Sequence, residues 1–169
     1  MNRRNILNLS GITALGFAML PTGAIAQTKS IKEQIAGAWI LVSNVNTAKD
    51  GKKSEPWGAN PKGTLVFDGN GHFAQILLRS DLPRIAGREA GTPEQDRAIA
   101  RGQLSLYGTY SVDEAAKVIN TRNEASTFAA FNGTDGKRFI VELTADELKT
   151  RNPATTEGGT AESTWRRAK

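Results

Sequence analysis

The chain has 169 residues, enough for one domain with one core, and it carries 22 Lys and Arg against 17 Asp and Glu. It has no Cys, which excludes disulfides, thiol catalysis, iron–sulfur clusters and thiolate zinc sites. A single His argues against a histidine-built metal site or a His-based triad, so we expect neither a metal nor a cofactor.

The N-terminal segment, Met1–Ala26, is typical of an export signal. Arg3 and Arg4 precede a short apolar run, and Ala24-Ile25-Ala26 ends the segment with a small-x-small cleavage pattern. The apolar run is shorter than the roughly 20 residues that a membrane-spanning helix needs. The arginine pair resembles the twin-arginine export motif, with general secretion as the alternative. We therefore predict a periplasmic or secreted domain over residues 27–169.

Without the leader, the chain has 20 Lys and Arg against 17 Asp and Glu, a net charge of +3 with the two signs interspersed. This balance favours a soluble surface over a nucleic-acid-binding one. We expect a small-molecule ligand, no nucleic-acid partner, no stable membrane insertion, and a monomer or weak homo-oligomer.

Short runs of β-forming residues alternate with turn signals after the leader. Ser30 and Glu33 have capping-box spacing and predict one helical turn. Asp68-Gly69-Asn70-Gly71 predicts a hairpin turn, and Thr92-Pro93 predicts the start of a short helix that ends near Arg101. The predicted strands are Trp39–Val45, Thr64–Phe67, His72–Arg79, Leu104–Val112, Val118–Ala125, Arg138–Leu143, Glu147–Thr150 and Thr160–Arg167.

About eight short strands with short connections predict an all-β protein in which sequential strands are antiparallel neighbours. A sheet of this size tends to close on itself, because closure removes its exposed edges. We therefore predict an antiparallel β-barrel with one short inserted helix, and eight strands leave an interior wide enough for one small ligand. A β-sandwich is the alternative.

The first predicted strand begins with a recognisable pattern. Gly37-Ala38-Trp39 is similar to the G-x-W signature of lipocalins. The resemblance implies that Trp39 lies across the closed end of a barrel, beside an Arg from near the chain end. Trp165-Arg166-Arg167 in the last strand supplies such an Arg, and we assign the cation–π contact to Arg166.

Further segments extend the resemblance over almost the whole chain beyond the leader. They are Trp39-Ile40-Leu41-Val42-Ser43, Trp57-Gly58-Ala59-Asn60-Pro61-Lys62-Gly63, Asp68-Gly69-Asn70-Gly71-His72, Gln75-Ile76, Arg79-Ser80-Asp81-Leu82-Pro83, Gly91-Thr92-Pro93-Glu94 and Tyr107-Gly108-Thr109-Tyr110-Ser111-Val112-Asp113. In order and spacing they resemble the bacterial lipocalin-like domain family, and this resemblance implies a fold, not a reaction. The family often has His before a Glu-x-Ser element, where this chain has Thr121 and Arg122.

Two polar residues of the strand His72–Arg79 are candidates for holding a carboxylate or carbonyl of a ligand. Gln75 and Arg79 lie on one face of the strand, and an inward Arg binds a carboxylate through two hydrogen bonds. The opposite face, with Ala74 and Ile76, is also a plausible core face, so a solvated surface is the alternative.

Four aromatic residues are further candidates for ligand contacts. Tyr107 and Tyr110 fall on opposite faces of their strand, so only one can point inward, where it would contact a ligand or be a satisfied core residue. Trp57 and Phe131 lie in or near loops, and they either line the barrel mouth or plug it.

Two charged features have a catalytic or gating interpretation. Glu124 lies in a predicted strand, where burial in a barrel would raise the pKa of its carboxyl and make it a general acid or base. An outward carboxylate paired with an Arg is the alternative. The segment Ser80–Arg101 is interpreted either as a lid over the barrel mouth or as a structural flap.

Three functions fit these expectations. The favoured one is an exported barrel that binds a small hydrophobic or amphipathic molecule in its interior, oriented by Gln75, Arg79 or a Tyr. The second is a cofactor-free isomerase or cyclase that uses a buried carboxylate, with Glu124 as the best candidate, although the sequence identifies no catalytic residue. The third is a structural or interaction module with a filled core.

Overall fold

The computed structural model describes residues 29–87, 89–156 and 158–169, so the export signal predicted for residues 1–26 lies outside the described residues. Within the described ranges, no helix is long and apolar enough to cross a membrane. The helices and strands are α1 Ile31–Ile35, β1 Gly37–Thr47, β2 Lys53–Ser54, β3 Lys62–Phe67, β4 His72–Leu78, α2 Pro93–Arg101, β5 Gln103–Asp113, β6 Val118–Ser126, a 3-10 turn Ala129–Phe131, β7 Asp135–Leu143, β8 Glu147–Asn152 and β9 Thr160–Arg167.

The strands form one antiparallel sheet in the order β2-β1-β3-β4-β5-β6-β7-β8-β9, and β1 also pairs with β9. The β1–β9 ladder runs from Trp39 opposite Arg167 to Thr47 opposite Thr160 and closes eight strands into a barrel. The predicted all-β antiparallel barrel is therefore confirmed, and a β-sandwich does not fit this closure. Only β2 is additional, because its two residues are too few to show an alternating pattern in the predicted loop.

The apolar core is concentrated at the end of the barrel that carries α1. Ile35, Trp39, Leu148 and Trp165 are each at most 2% exposed. Trp39 also donates a hydrogen bond from Nε1 to the carbonyl oxygen of Ile35 at 2.8 Å, which fixes α1 against the barrel end. Burying a large apolar side chain contributes roughly 1.5–3 kcal/mol, so these residues contribute a large share of the folding free energy.

Arg167 connects three parts of this closed end. Its guanidinium lies over the ring of Trp39, with 4.0 Å between the guanidinium carbon and the ring centroid. It donates to the backbone carbonyl oxygens of Gln34, in the last turn of α1, at 2.6 Å and of Ala36, the residue after the helix, at 3.1 Å. Carbonyl groups at the end of a helix have no partner inside it. It also donates to the carbonyl oxygen of Ala145 in the β7–β8 turn at 2.5 Å.

The assignment of this contact to Arg166 is wrong. Side chains alternate along a strand, and Trp165 faces the interior. Arg167, two residues further on, therefore faces the same side and pairs with Trp39 in the β1–β9 ladder. Arg166 faces the solvent. The cation–π contact exists as predicted, but the neighbouring residue makes it.

The start of α1 is tied to the turn between β5 and β6. The predicted capping box is confirmed, with the Ser30 and Glu33 side chains each bonded to the other's backbone N–H. The Glu114 carboxylate accepts from the backbone N–H groups of Ile31 at 2.7 Å and Lys32 at 3.1 Å. Because free N–H groups at a helix start attract anions, this contact holds α1 over the barrel.

A β-bulge in β6 determines which residues of that strand face inward. Gly108 of β5 lies opposite Asn123, whereas the preceding pair of the ladder skips Glu124, which is therefore an extra residue. A Cβ on Gly108 would overlap the carbonyl oxygen of Arg122, so the close approach of the two strands requires glycine at this position.

We predict that Arg167→Ala lowers the free energy of unfolding by about 2–4 kcal/mol, because it removes the contact with Trp39 and the donors for three carbonyl groups. Arg166→Ala removes the same charge from the adjacent, solvent-facing position and should cost less than about 0.5 kcal/mol. Urea denaturation followed by far-UV circular dichroism measures both. Equal losses in the two variants would contradict the assignment to Arg167.

We also predict that Gly108→Ala destabilises the barrel by about 1–3 kcal/mol, because the new methyl group forces β5 and β6 apart at the bulge. The matched control is Gly69→Ala in the β3–β4 turn, where an added Cβ meets nothing within 4 Å. Thermal unfolding should separate the two variants clearly. Unchanged midpoints in both would mean that the strands do not approach as closely as described.

Candidate functional site

The barrel end opposite α1 is open. The connections that reach this end are residues 48–61, 79–102, 127–134 and 153–159. Side chains at the rim include Trp57, Arg101, Phe128, Phe131 and Pro153, which also border the space inside the barrel. In the described part of the chain, the closed base and the open mouth give access to the interior from the mouth.

A cavity extends from this mouth into the barrel. The cavity and the mouth together have a volume of about 1620 Å³. That volume includes part of a groove on the outer face, because the outward-facing Thr109, Ser111 and Lys137 also border it. Ligand cavities in proteins typically measure about 300–1,000 Å³, so the combined volume of interior, mouth and groove exceeds that of a typical ligand site.

One wall of the cavity is apolar. It is formed by inward-facing residues of β3, β4 and β5, which lie opposite one another in the ladders between these strands. Phe67 stacks at a tilt on Phe73 and Tyr110, with ring centroids 6.5 Å and 4.8 Å apart. The apolar side chains of this wall are Leu65, Phe67, Phe73, Leu77, Leu104 and Leu106.

The other wall carries uncharged polar groups. Asn44 of β1 pairs with Ser163 of β9, which pairs with Thr150 of β8, so the three side chains lie side by side on the interior face. The Asn44 amide donates to Ser163 Oγ at 2.8 Å. Thr121 and Asn123 of β6 continue this wall. The interior is therefore amphipathic, with hydroxyl and amide groups facing aromatic and aliphatic ones.

Two buried polar atoms on the polar side have no hydrogen-bond partner among the described residues. They are Asn44 Oδ1, an acceptor, and Trp165 Nε1, a donor. An unsatisfied buried polar atom costs roughly 1–3 kcal/mol. A bound molecule with a polar group near these atoms would recover part of that free energy.

Arg138 is the charged residue of this wall. It pairs with Ile119 of β6, which is 1% exposed. Gly136 lies two residues earlier on the same face of β7, and a Cβ added there would lie 3.7 Å from Arg138 Nη1. Among the described residues, its side chain has one hydrogen-bond partner, the Lys137 carbonyl oxygen, to which Nη1 donates at 2.9 Å. Desolvation lowers the pKa of the Arg138 guanidinium below its ordinary value, and the group nevertheless stays charged near neutral pH.

Four of the residues predicted as ligand contacts border the cavity: Gln75, Tyr110, Trp57 and Phe131. Gln75 lies among the apolar residues of β4. Tyr110 is the inward member of the predicted Tyr pair, and its hydroxyl already donates to the carbonyl oxygen of Asp68 at 2.7 Å. Burial raises the pKa of this phenol. Trp57 and Phe131 are half-buried at the mouth.

The other three predicted contacts do not face the interior. Arg79 follows the end of β4 and binds Asp81 through two hydrogen bonds of 2.8 Å and 2.6 Å, both side chains being exposed. Tyr107 lies on the outer face and is 53% exposed. Glu124 is the extra residue of the bulge and is exposed, because the bulge removes it from the inward alternation.

Arg138, Asn44 and Thr150 were not predicted as site residues. In β7 the apolar residues Phe139 and Val141 suggest that their face of the strand is buried and that the face with Arg138 is exposed. A bulge at Val141, which the ladder to β8 skips, restores the inward direction further along the strand. Alternation in β7 therefore indicates the wrong face unless the bulge is known. Arg138 directly follows Lys137 in the sequence, so no local signal distinguishes the inward cation from the outward one.

Comparison with known proteins agrees with this architecture. A sequence model of the lipocalin-like domain matches residues 36–168. The chain belongs to the lipocalin-like domain family. No curated protein matches the sequence.

Solved structures similar to this lipocalin-like chain include two from Bacteroides uniformis. One is a crystal structure of a lipocalin-like protein with 16% identity, covering 80% of this chain and 99% of that one at a TM-score of 0.45. The other is an NMR structure, also 16% identical, covering 80% and 90% at a TM-score of 0.44. A de novo designed fluorescence-activating β-barrel, 11% identical, covers 83% and 100% at a TM-score of 0.43.

Proposed function

We propose that this lipocalin-like protein is exported and binds a small hydrophobic or amphipathic molecule inside its barrel. The observation that carries the proposal is the cavity, which combines an open mouth, an apolar wall and a polar wall in one interior. Sites for small molecules are usually concave and largely apolar, with a few polar groups that orient the ligand. A filled core would leave no such space.

The enzymatic alternative has lost its proposed acid or base. Glu124 is exposed, and Glu142 lies on the outer face, where it accepts a hydrogen bond from Lys149 at 2.7 Å. Among the described residues that face the interior, none is a carboxylate. A buried general acid or base with a raised pKa is therefore not provided by the residues that the hypothesis requires.

The segment that includes α2 is positioned to control access to the cavity. Ala100 and Arg101 border the mouth, and α2 has no buried residue. A displacement of α2 would therefore expose little additional apolar surface. Its C-terminal end is attached to the barrel through Arg79, whose backbone N–H donates to the carbonyl oxygen of Gly102 at 2.9 Å. This arrangement supports a lid hinged near β4 and β5.

We predict that an environment-sensitive apolar dye binds the wild-type protein and that Leu104→Trp weakens this binding at least about 10-fold, because the indole occupies the cavity wall. The matched control is Tyr107→Trp, which adds an indole to the outer face of the same strand. Fluorescence titration measures both, and native mass spectrometry of protein purified from its host tests for a retained ligand. Equal dye binding by both variants would place the dye outside the barrel.

Export is the second part of the proposal, and it is supported by the leader pattern. We predict that replacing Arg3 and Arg4 together with Lys leaves the precursor in the cytoplasm, because twin-arginine export depends on the arginine pair. General secretion needs only positive charge in this region and would continue. Cell fractionation and immunoblotting distinguish the two. Normal export of the double variant would assign the protein to general secretion.

A further inference from the structure

The most unusual feature of the cavity is a positive charge without a partner. The ion pairs among the described residues involve His72, Arg79, Arg122 and Lys149, and none includes Arg138. A guanidinium has five N–H donors in a planar fork, and one hydrogen bond to a backbone carbonyl leaves most of them free. The charge is therefore neither neutralised nor fully solvated.

The neighbourhood of Arg138 is polar but uncharged. Thr121, Asn123 and Thr150 are hydroxyl and amide groups on the adjacent strands, and they offer weak acceptors at best. The nearest anion on its own strand, Asp135, faces outward and binds Arg122. Desolvating an unpaired charge is unfavourable, so Arg138 has a cost to the fold that an uncharged residue of similar size would not have.

The free donors face a cavity large enough for a ligand. A planar guanidinium matches a carboxylate through two parallel hydrogen bonds, which are among the strongest that proteins make. Within the described interior above the closed end, Arg138 is the sole cation, so a headgroup with a single negative charge would be neutralised and a doubly charged one would not. The apolar wall around Phe67 and Phe73 suits a hydrocarbon body.

We propose that Arg138 binds the carboxylate of an amphipathic monocarboxylic acid, whose apolar body lies against the wall formed by β3, β4 and β5. This inference rests on the proposed binding function and specifies its ligand class. The hydroxyl and amide groups beside Arg138 then donate secondary hydrogen bonds to the carboxylate, which is only an acceptor. Arg138 selects acids over the corresponding alcohols or esters.

The test compares decanoic acid with decan-1-ol, which has the same chain and no charge, by isothermal titration calorimetry and by displacement of the apolar dye. We expect the wild type to bind the acid about 10-fold more tightly than the alcohol, a difference of about 1.4 kcal/mol. Arg138→Gln should abolish this preference: it should weaken binding of the acid about 10-fold and binding of the alcohol less than about twofold. Arg138→Lys, which keeps the charge but not the fork, should give an intermediate affinity.

The matched control is Lys137→Gln, which removes the same charge from the adjacent, outward-facing position of β7. It should retain the preference for the acid. Thermal unfolding without ligand tests the fold of each variant, and the midpoint of Arg138→Gln should equal or exceed that of the wild type, because an uncompensated charge is removed. A lower midpoint would show that Arg138 serves the fold and would overturn the proposal.

Failure of this inference is distinguishable from failure of the binding function. Two results would overturn the carboxylate assignment and leave the binding function standing. In the first, the wild type binds the dye but does not prefer the acid. In the second, Arg138→Gln weakens binding of the acid and of the alcohol equally. Tighter binding of decyl phosphate than of decanoate would also overturn the carboxylate assignment. If the wild type binds none of these molecules, the binding function itself is contradicted.

Discussion

The ladder between the first and the last strand is the constraint on which the rest of this structure depends. Its end pair places Arg167 opposite Trp39, where the guanidinium covers the indole and gathers carbonyl groups from α1 and from the β7–β8 turn. Without that ladder the sheet would have two free edges and no closed base. The same contact therefore closes the wall of the barrel and seals one of its ends.

Sealing one end divides the interior into two functional regions. The large buried side chains, Trp39, Trp165, Leu148 and Ile35, occupy the base and provide a rigid core. The cavity above them has an apolar wall formed by β3, β4 and β5 and a polar wall formed by the remaining strands. The largest buried side chains and the cavity thus lie at different ends of one barrel, so the proposed binding function requires polar groups that cost stability only away from the base.

The polar wall shows how bulges determine the chemistry of such a cavity. The extra residue at Glu124 in β6 turns that carboxylate outward, and the extra residue at Val141 in β7 allows Arg138 to face inward while the end of the strand rejoins the core. Each bulge shifts the alternation by one residue, which exchanges the inner and outer faces beyond it. In the described lining, Arg138 borders the cavity and Glu124 does not.

The sequence by itself determined the local elements and the family. Turn residues, capping boxes and strand propensity predicted the hairpin at residues 68–71, both helices and the positions of eight strands, because these signals act between near neighbours. The inward position of one Tyr followed from alternation alone. The tertiary structure decided which Arg meets Trp39, which carboxylate leaves the interior and which cation enters it. Alternation specifies the period of a strand but not its phase, and the phase is set by bulges and by pairing between residues far apart in the chain.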